Sequence, residues 1–332
     1  MNDRTVNLLE HYDMEVIRTF KGRGSLICET KQGYRVLKEY RGKTEKLTFL
    51  QQLQKKVSEQ VCTDTLIPNK EGELFCKDTD GTVYVLKKQP LGSGREGGYR
   101  ECSYKSEEDI QKTFSMMARV HREISHTKME GYDIQPAVSF REDMIRHTSE
   151  CRHVRNYLRK LKRKTEFEKA LLKEYNYFFE KAMEVTELAM KEDLEQYRKY
   201  VEDNGLFCHG DFQYHNVLFE RDSIWLINME HFARDSGMRD FYLLFRKISE
   251  KSDWSIPLAR LMIDSYRKER PIEACEWKQL ELRLRYPEKF WKIINFYYNS
   301  KKSWIPDKNL EKLKLLIQQE KSKEKLIETL FS

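Results

Sequence analysis

The 332-residue sequence has no apolar run approaching the roughly 18 residues that a membrane-spanning helix needs. Its first residues, MNDRTVNLLEHYDME, lack the basic and then apolar order of a secretory leader. The seven cysteines (28, 62, 76, 102, 151, 208 and 275) include no C-x-x-C pair, and so odd and scattered a set argues against a disulfide framework and against structural zinc. Free thiols in a reducing compartment are expected. Repeats and low-complexity tracts are absent, and neither sign of charge dominates. A formal charge of +7 is modest at this length and comes with no recognisable nucleic-acid module, so no nucleic-acid partner is expected. What remains is a chain 39% hydrophobic and 35% charged, able to bury one large core or two adjoining ones.

The most informative stretch, residues 207–240, reads FCHGDFQYHNVLFERDSIWLINMEHFARDSGMRD. Two polar clusters, His209-Gly210-Asp211 with Asn216 and then Asn228-Met229-Glu230, each adjoin a short apolar run. Val217 to Phe219 and Ile224 to Ile227 are β-branched or aromatic enough to be strands, and Glu220 to Ser223 is a turn of hairpin length. A two-stranded ribbon brings the clusters at its outer ends together. The chemistry this suits is phosphoryl transfer: Asp211 can orient a hydroxyl and accept its proton, and the Asn216 carboxamide can offer an uncharged oxygen to Mg²⁺. The spacing H-x-D-x-x-x-x-N is that of a kinase catalytic loop, and the second cluster falls where a kinase keeps its metal-binding Asp.

CHGDFQYHNVLF resembles the catalytic loop of the aminoglycoside phosphotransferase and choline kinase superfamily. LLEHYDMEVIRTFKGRGSLICET, YRVLKEY, RDFYLLFRKI and RYPEKFWKIINFYYNSKKSWIP further resemble segments of the CotS-type spore coat proteins, so the likeness spans almost the whole chain. It implies an α+β, two-lobed protein-kinase-like fold. A nucleotide-binding-type lobe of antiparallel sheet plus helix would occupy residues 1–90, and a larger, mainly helical lobe with the catalytic-type loop residues 91–332. It also implies synthesis in the cytoplasm, a place in the spore coat, other coat proteins as partners, and ATP with Mg²⁺ as cofactors.

Taken in order, residues 4–13 form a short amphipathic helix, and Glu15–Phe20, Ser25–Thr30 and Tyr34–Tyr40 an antiparallel meander. In a kinase the first turn of this meander covers the nucleotide phosphates. Gly22 and Gly24 permit that close approach and Arg23 and Ser25 can add donors, although the same residues suit an ordinary hairpin. Lys38 falls where a kinase keeps the lysine of the α- and β-phosphates. The helix over 43–59 should then present a glutamate to that lysine, but its centre holds Gln51, Gln52, Gln54, Lys55 and Lys56, leaving only Glu45 and Glu59 near its ends. Further strands at Leu66-Ile67, Leu74–Lys77 and Thr82–Lys88 complete a sheet of five or six. The interlobe hinge is placed at 89–98, where backbone groups from Gln89 to Leu91 would read the adenine.

Beyond the hinge the chain turns helical. Ser106 caps a helix carrying His121 as a packed histidine, residues 143–201 read as two long helices, and five more helices follow, the first opened by Asp240. The basic run Arg152–Lys164 suits either a solvated helix face or contact with an acidic partner. The aromatics Phe290, Trp291, Phe296, Tyr297 and Tyr298 suit either a core stripe or an acceptor pocket. The resemblance makes Asp211 the hydroxyl-orienting base, His209 a packed loop residue, Asp240 the brace of the loop, and Asn216, Asn228 and Glu230 the metal ligands. Asn228 departs from the Asp-x-Asp or Asp-x-Glu of active members. Losing that charge removes an attraction of order ~4 kcal/mol near 4 Å at intermediate dielectric, before desolvation, so a weakened Mg²⁺ site is expected. Two functions stay open: an ATP-dependent phosphotransferase to a hydroxyl of an unknown acceptor, and a pseudokinase serving as a coat component or scaffold.

Overall fold

The computed structural model describes residues 3–22, 24–90, 98–125, 136–137, 139–221, 223–299 and 306–332. The chain divides into two compact units, one of residues 1–135, 204–240 and 265–270, the other of residues 136–203, 241–264 and 271–332.

The first unit begins with helix α1 (Asp3–Glu10), whose Leu8 and Leu9, with Tyr12 just after it, pack against Cys28, Leu37 and Leu86 of the sheet. That sheet is antiparallel and six-stranded, in the order β1 (Val16–Lys21), β2 (Ser25–Thr30), β3 (Gly33–Glu39), β7 (Val83–Lys88), β5 (Leu66–Ile67), with β6 (Cys76–Lys77) also paired to β7. Register fixes which side chains can meet. Lys38 of β3 lies opposite Ser25 and Val85, and Lys87 of β7 lies opposite Val36, so period-2 alternation puts Lys38 and Lys87 on one face. Helix α2 (Lys46–Val57) follows β3 and buries Phe49, Leu50, Leu53 and Gln54.

A second sheet orders β4 (Cys62–Thr63), β10 (Ser223–Leu226), β9 (Val217–Glu220) and β8 (Arg100–Glu101), with β4 parallel to β10. Its centre is the hairpin expected from the sequence, Val217 opposite Leu226; the outer strands are two residues each, too short to carry a pattern. Helix α3 (Glu107–Ile124) starts at Ser106, whose hydroxyl accepts from Asp109 N.

The second unit is helical. The stretch read as two helices contains three, α4 (Phe140–Lys160), α5 (Glu166–Lys191) and α6 (Leu194–Asp203). Capping sets the breaks: Thr165 and Glu168 form a reciprocal box at the start of α5, and Asp193 accepts from Gln196 N ahead of α6. Helices α7 (Met238–Lys251) and α8 (Ile256–Arg267) run across the division, and α9 (Ala274–Arg285), α10 (Glu288–Asn299) and α11 (Pro306–Phe331) complete the chain. The aromatic stripe of α10 is core: Phe290 stacks on Phe178 with centroids 4.8 Å apart, and Trp291, Tyr297 and Tyr298 pack on the same cluster. Only Phe296 among them is exposed, at 41%.

Phe290→Ala should therefore lower unfolding free energy by about 3–5 kcal/mol, and Phe296→Ala by less than about 0.5 kcal/mol, as read from urea midpoints.

Candidate active site

The loop after α6 is held by one buried carboxylate. Asp240, at the start of α7, accepts from His209 N at 2.6 Å and Gly210 N at 2.9 Å, while His121 Nε2 donates to it at 3.0 Å. Burial works to raise its pKa; the hydrogen bond and charge of His121, with His209 behind them, hold it below the ordinary aspartate value. His121 Nδ1 in turn pairs with Tyr266 Oη at 2.9 Å, so both ring nitrogens are committed. His209 is equally committed: its Nε2 donates to Ile227 O at 3.0 Å and its Nδ1 accepts from Asp211 N at 3.2 Å. It shapes the loop and has no free nitrogen to act as a base. Gly210 has φ +83°, and a Cβ there would stand 2.0 Å from His231 O, so only glycine fits between the loop and the segment after β10.

From this loop a polarised chain of hydrogen bonds leads inward. Asn216 Nδ2 donates to Asp211 Oδ2 at 3.1 Å and to Asp211 O at 2.8 Å, and Asn228 Nδ2 donates to Asn216 Oδ1 at 2.9 Å. Asn228 Oδ1 accepts from Lys38 Nζ at 3.1 Å and Lys87 Nζ at 3.3 Å. Asn228 sits in the left-handed region, φ 64° and ψ 49°, which asparagine tolerates better than most residues. Its backbone N donates to Asp64 Oδ2 at 3.0 Å.

Lys87 is the centre. Its side chain is 3% exposed, and its ammonium donates to Asp64 Oδ2 at 2.5 Å and Glu230 Oε1 at 2.6 Å. Burial opposes its charge, but the two carboxylates hold it protonated well above the ordinary lysine value. Burial also acts on the acids, pushing Asp64 up; Glu230 is nevertheless brought to about 2 by Lys87 and then Lys38. Lys38 is 34% exposed and lies 3.4 Å from Glu230 Oε1, its ion-pair partner among the described residues. Glu45 and Glu59 are not used. The middle of α2 takes another job: Gln54 donates to Asp64 O at 2.9 Å and accepts from Leu66 N at 3.1 Å, fixing the turn that presents Asp64.

The structure thus brings Lys38, Asp211, Asn216, Asn228 and Glu230 into one network. Gly22 and Gly24 lie in the β1–β2 turn, whose Gly22 N donates to Ser25 O at 2.8 Å, and Ser25 pairs with Lys38 across the strands. Gln89 follows β7 with its N donating to Tyr34 O at 3.2 Å; Arg23, Leu91, Gly92, Gly94 and Gly97 lie outside the described residues. Asp64 and Lys87 were missed. Alternation in VYVLKK could have found Lys87, which shares the buried face of Val85; nothing in the sequence around Asp64 distinguishes it.

A partly exposed lysine beside a glycine turn suits nucleotide phosphates. The oxygens expected for Mg²⁺ are disposed differently. Asn228 Oδ1 and Glu230 Oε1 each face two ammonium groups, and Asn216 Oδ1 is taken by Asn228 Nδ2. Among the described residues, Glu230 Oε2 is the one of these side-chain oxygens that is buried without a partner, and no group of three or more His, Cys, Asp and Glu is placed to hold a metal ion. Two ammonium groups already balance the two carboxylates Asp64 and Glu230. In this arrangement the donor set fits ammonium rather than a divalent cation, which needs several free oxygens converging at about 2.1 Å.

Comparison with known proteins gives a consistent frame. The family described as "Spore coat putative kinase YutH" matches residues 5–330. Spore coat protein S of Bacillus subtilis is 23% identical, over 96% of this chain and 90% of that protein. Among solved structures, an aminoglycoside phosphotransferase of Alicyclobacillus acidocaldarius is similar with a TM-score of 0.83 at 16% identity, covering 98% of this chain and 94% of that one. An amicoumacin kinase in complex with AMP-PNP, Ca²⁺ and its antibiotic is similar with a TM-score of 0.62 at 10% identity, covering 96% and 91%. Likeness at such identities shows the fold: α+β and kinase-like, an N-terminal antiparallel sheet with a larger helical region.

Because the folded pKa of Glu230 lies below its ordinary value of 4.5, its stabilisation is complete above that pH and is lost as pH falls towards about 2. Glu230→Gln should cost roughly 3 kcal/mol at neutral pH and flatten the loss of stability between those limits, as measured by urea unfolding at stepped pH.

Proposed function

Because the chain belongs to this family of kinase-like spore coat proteins, we propose that it is a coat component whose kinase-like site binds a nucleoside triphosphate but is impaired in catalysis. The observation that carries this reading is the position of Lys87: its ammonium occupies the oxygens that a metal would need, beside an asparagine where a carboxylate would draw the metal in. In this reading residues 1–90 are the nucleotide-binding-type lobe and residues 91–332 the helical lobe. Lys38 meets the α- and β-phosphates, the Gly22–Gly24 turn lies along them, and the backbone from Gln89 to Leu91 reads the adenine. The complex of the amicoumacin kinase with AMP-PNP supports a nucleotide in this fold. Spore coat protein S supports other coat proteins as partners. The basic run Arg152–Lys164 offers them a surface, since Leu158 is buried while Arg152, His153, Arg159 and Lys160 are exposed.

One observation favours a second reading, an ATP- and Mg²⁺-dependent phosphotransferase to a hydroxyl of a coat-associated acceptor. The loop presenting Asp211 is braced at every point by Asp240, His121 and His209, as a working base requires. Asn216, Asn228 and Glu230 would then be the oxygens for the metal, which would neutralise phosphate charge.

Thermal unfolding separates the two. Saturating ATP, at one hundred times its dissociation constant, adds about 2.7 kcal/mol and should raise the midpoint by about 4 °C, equally in EDTA and in Mg²⁺. Lys38→Met should abolish the rise, and Asn228→Asp should make it depend on Mg²⁺. A rise that needs Mg²⁺ in the unaltered protein, with phosphate transfer from ATP that Asp211→Asn removes, would establish the second reading instead.

A further inference from the structure

The second unit contains a cavity of about 120 Å³, remote in sequence from the catalytic-type loop and walled by α7, the segment before α10, and α11. Tyr242, Trp254, Tyr286 and Leu316 give it apolar sides, and Arg246 and Lys323 reach into its lining. This volume is near that of the ~150 Å³ apolar cavity known to hold a benzene ring.

The charges around it are unevenly satisfied. Glu250, Glu288 and Glu320 also line it, but each is already engaged. Glu250 accepts from Lys289 at 2.9 Å and from Arg246, Glu288 lies 3.3 Å from both Lys292 and His147, and Glu320 accepts from Lys181 at 2.6 Å. Burial opposes the charge of Glu288, yet His147, Lys292 and Arg246 hold its pKa to about 2, so it is ionised and committed. The cations are not matched in the same way. Lys323, 6% exposed, makes one hydrogen bond, a long one of 3.5 Å to Tyr286 O, and among the described residues has no carboxylate within ion-pair distance. Its ammonium lies 5.7 Å from the centroid of Trp254. Arg246, with a side chain 7% exposed, uses Nη1 on Glu250, but among the described residues its Nε is buried without a partner. Burial pulls the pKa of Lys323 down to about 8; Glu320 resists, and Lys181 and Arg246 add to the fall.

A buried ammonium without a counter-ion is costly, and an apolar side chain of similar volume would serve packing better. An anion in the cavity would balance the charges of both residues at once, with charge-assisted hydrogen bonds in a medium where these are strong. We propose that this cavity binds a small organic anion, a phosphate monoester or carboxylate with an aromatic or aliphatic body, whose charged group takes Lys323 Nζ and the Arg246 guanidinium while the body lies against Trp254 and Leu316. Anion binding here is independent of nucleotide binding at the other site.

The test uses the full chain and thermal unfolding with phenyl phosphate, benzoate and inorganic phosphate, against benzyl alcohol and sodium chloride at matched ionic strength. Phenyl phosphate or benzoate should raise the midpoint saturably, and benzyl alcohol and chloride should not. In Lys323→Met the unliganded midpoint should be equal or higher, because a lone buried charge is gone, and the apparent affinity should fall at least about tenfold, or 1.4 kcal/mol. Arg246→Gln, which leaves Glu250 paired with Lys289, should weaken the same response. The proposal is overturned if no anion stabilises the unaltered protein, if the response survives in both variants, or if Lys323→Met folds poorly, since the lysine would then be structural. A response to inorganic phosphate alone would overturn the assignment of the apolar wall.

Discussion

The ammonium of Lys87, enclosed by Asp64, Glu230 and Asn228, is the contact on which the rest of the candidate site depends. It joins three pieces of chain that are distant in sequence: the turn between β4 and β5, the end of β7, and the segment after β10. Removing one partner of such a buried pair typically costs about 3–5 kcal/mol, because the survivor is left as an uncompensated charge. Asp64 is itself placed by Gln54 of α2 and grips the backbone of Asn228, so the helix that in a kinase carries a glutamate here works through a carboxamide. Lys38 pairs with Glu230 instead of a glutamate of α2, and Glu230 and Asp64 together enclose Lys87 on the neighbouring strand.

From that contact outward, order passes along hydrogen bonds of fixed direction. The lysines donate to Asn228, Asn228 to Asn216, and Asn216 to Asp211. An aspartate at 228 would have no donor for Asn216, so the asparagine suits a site whose positive charge is supplied by lysine. The other end of the loop is anchored independently by Asp240, which holds two consecutive N–H groups and one imidazole. The loop is therefore held at both ends, and the two ammonium groups balance the carboxylates Asp64 and Glu230.

Much of this was legible in the sequence. The H-x-D-x-x-x-x-N spacing and the two β-branched runs fixed the hairpin and the convergence of Asp211, Asn216, Asn228 and Glu230, because local spacing and period-2 alternation are properties of the chain itself. Asn228 and the missing central glutamate of α2 were visible as departures. Lys87 was harder to see. Its face is set by pairing with β3, fifty residues away, and one lysine among 61 basic residues carries no mark of burial. Asp64 was hidden for the same reason: a two-residue strand positions it, and its partners come from β7, α2 and the segment after β10. The third helix within 140–203 was signalled by capping pairs, T-x-x-E and D-x-x-Q, that a reading of apolar periodicity passed over.

In the proposed reading lysine, not a divalent ion, supplies the positive charge in this site. Titration of Mn²⁺ into the nucleotide-free protein, followed by the electron paramagnetic resonance signal of free Mn²⁺, tests it most directly. The unaltered protein should leave that signal as it is in buffer, and Lys87→Gln, which uncovers Asp64 and Glu230, should take up one Mn²⁺ per chain. A stoichiometric Mn²⁺ site in the unaltered protein, lost in Asn216→Ala, would contradict it.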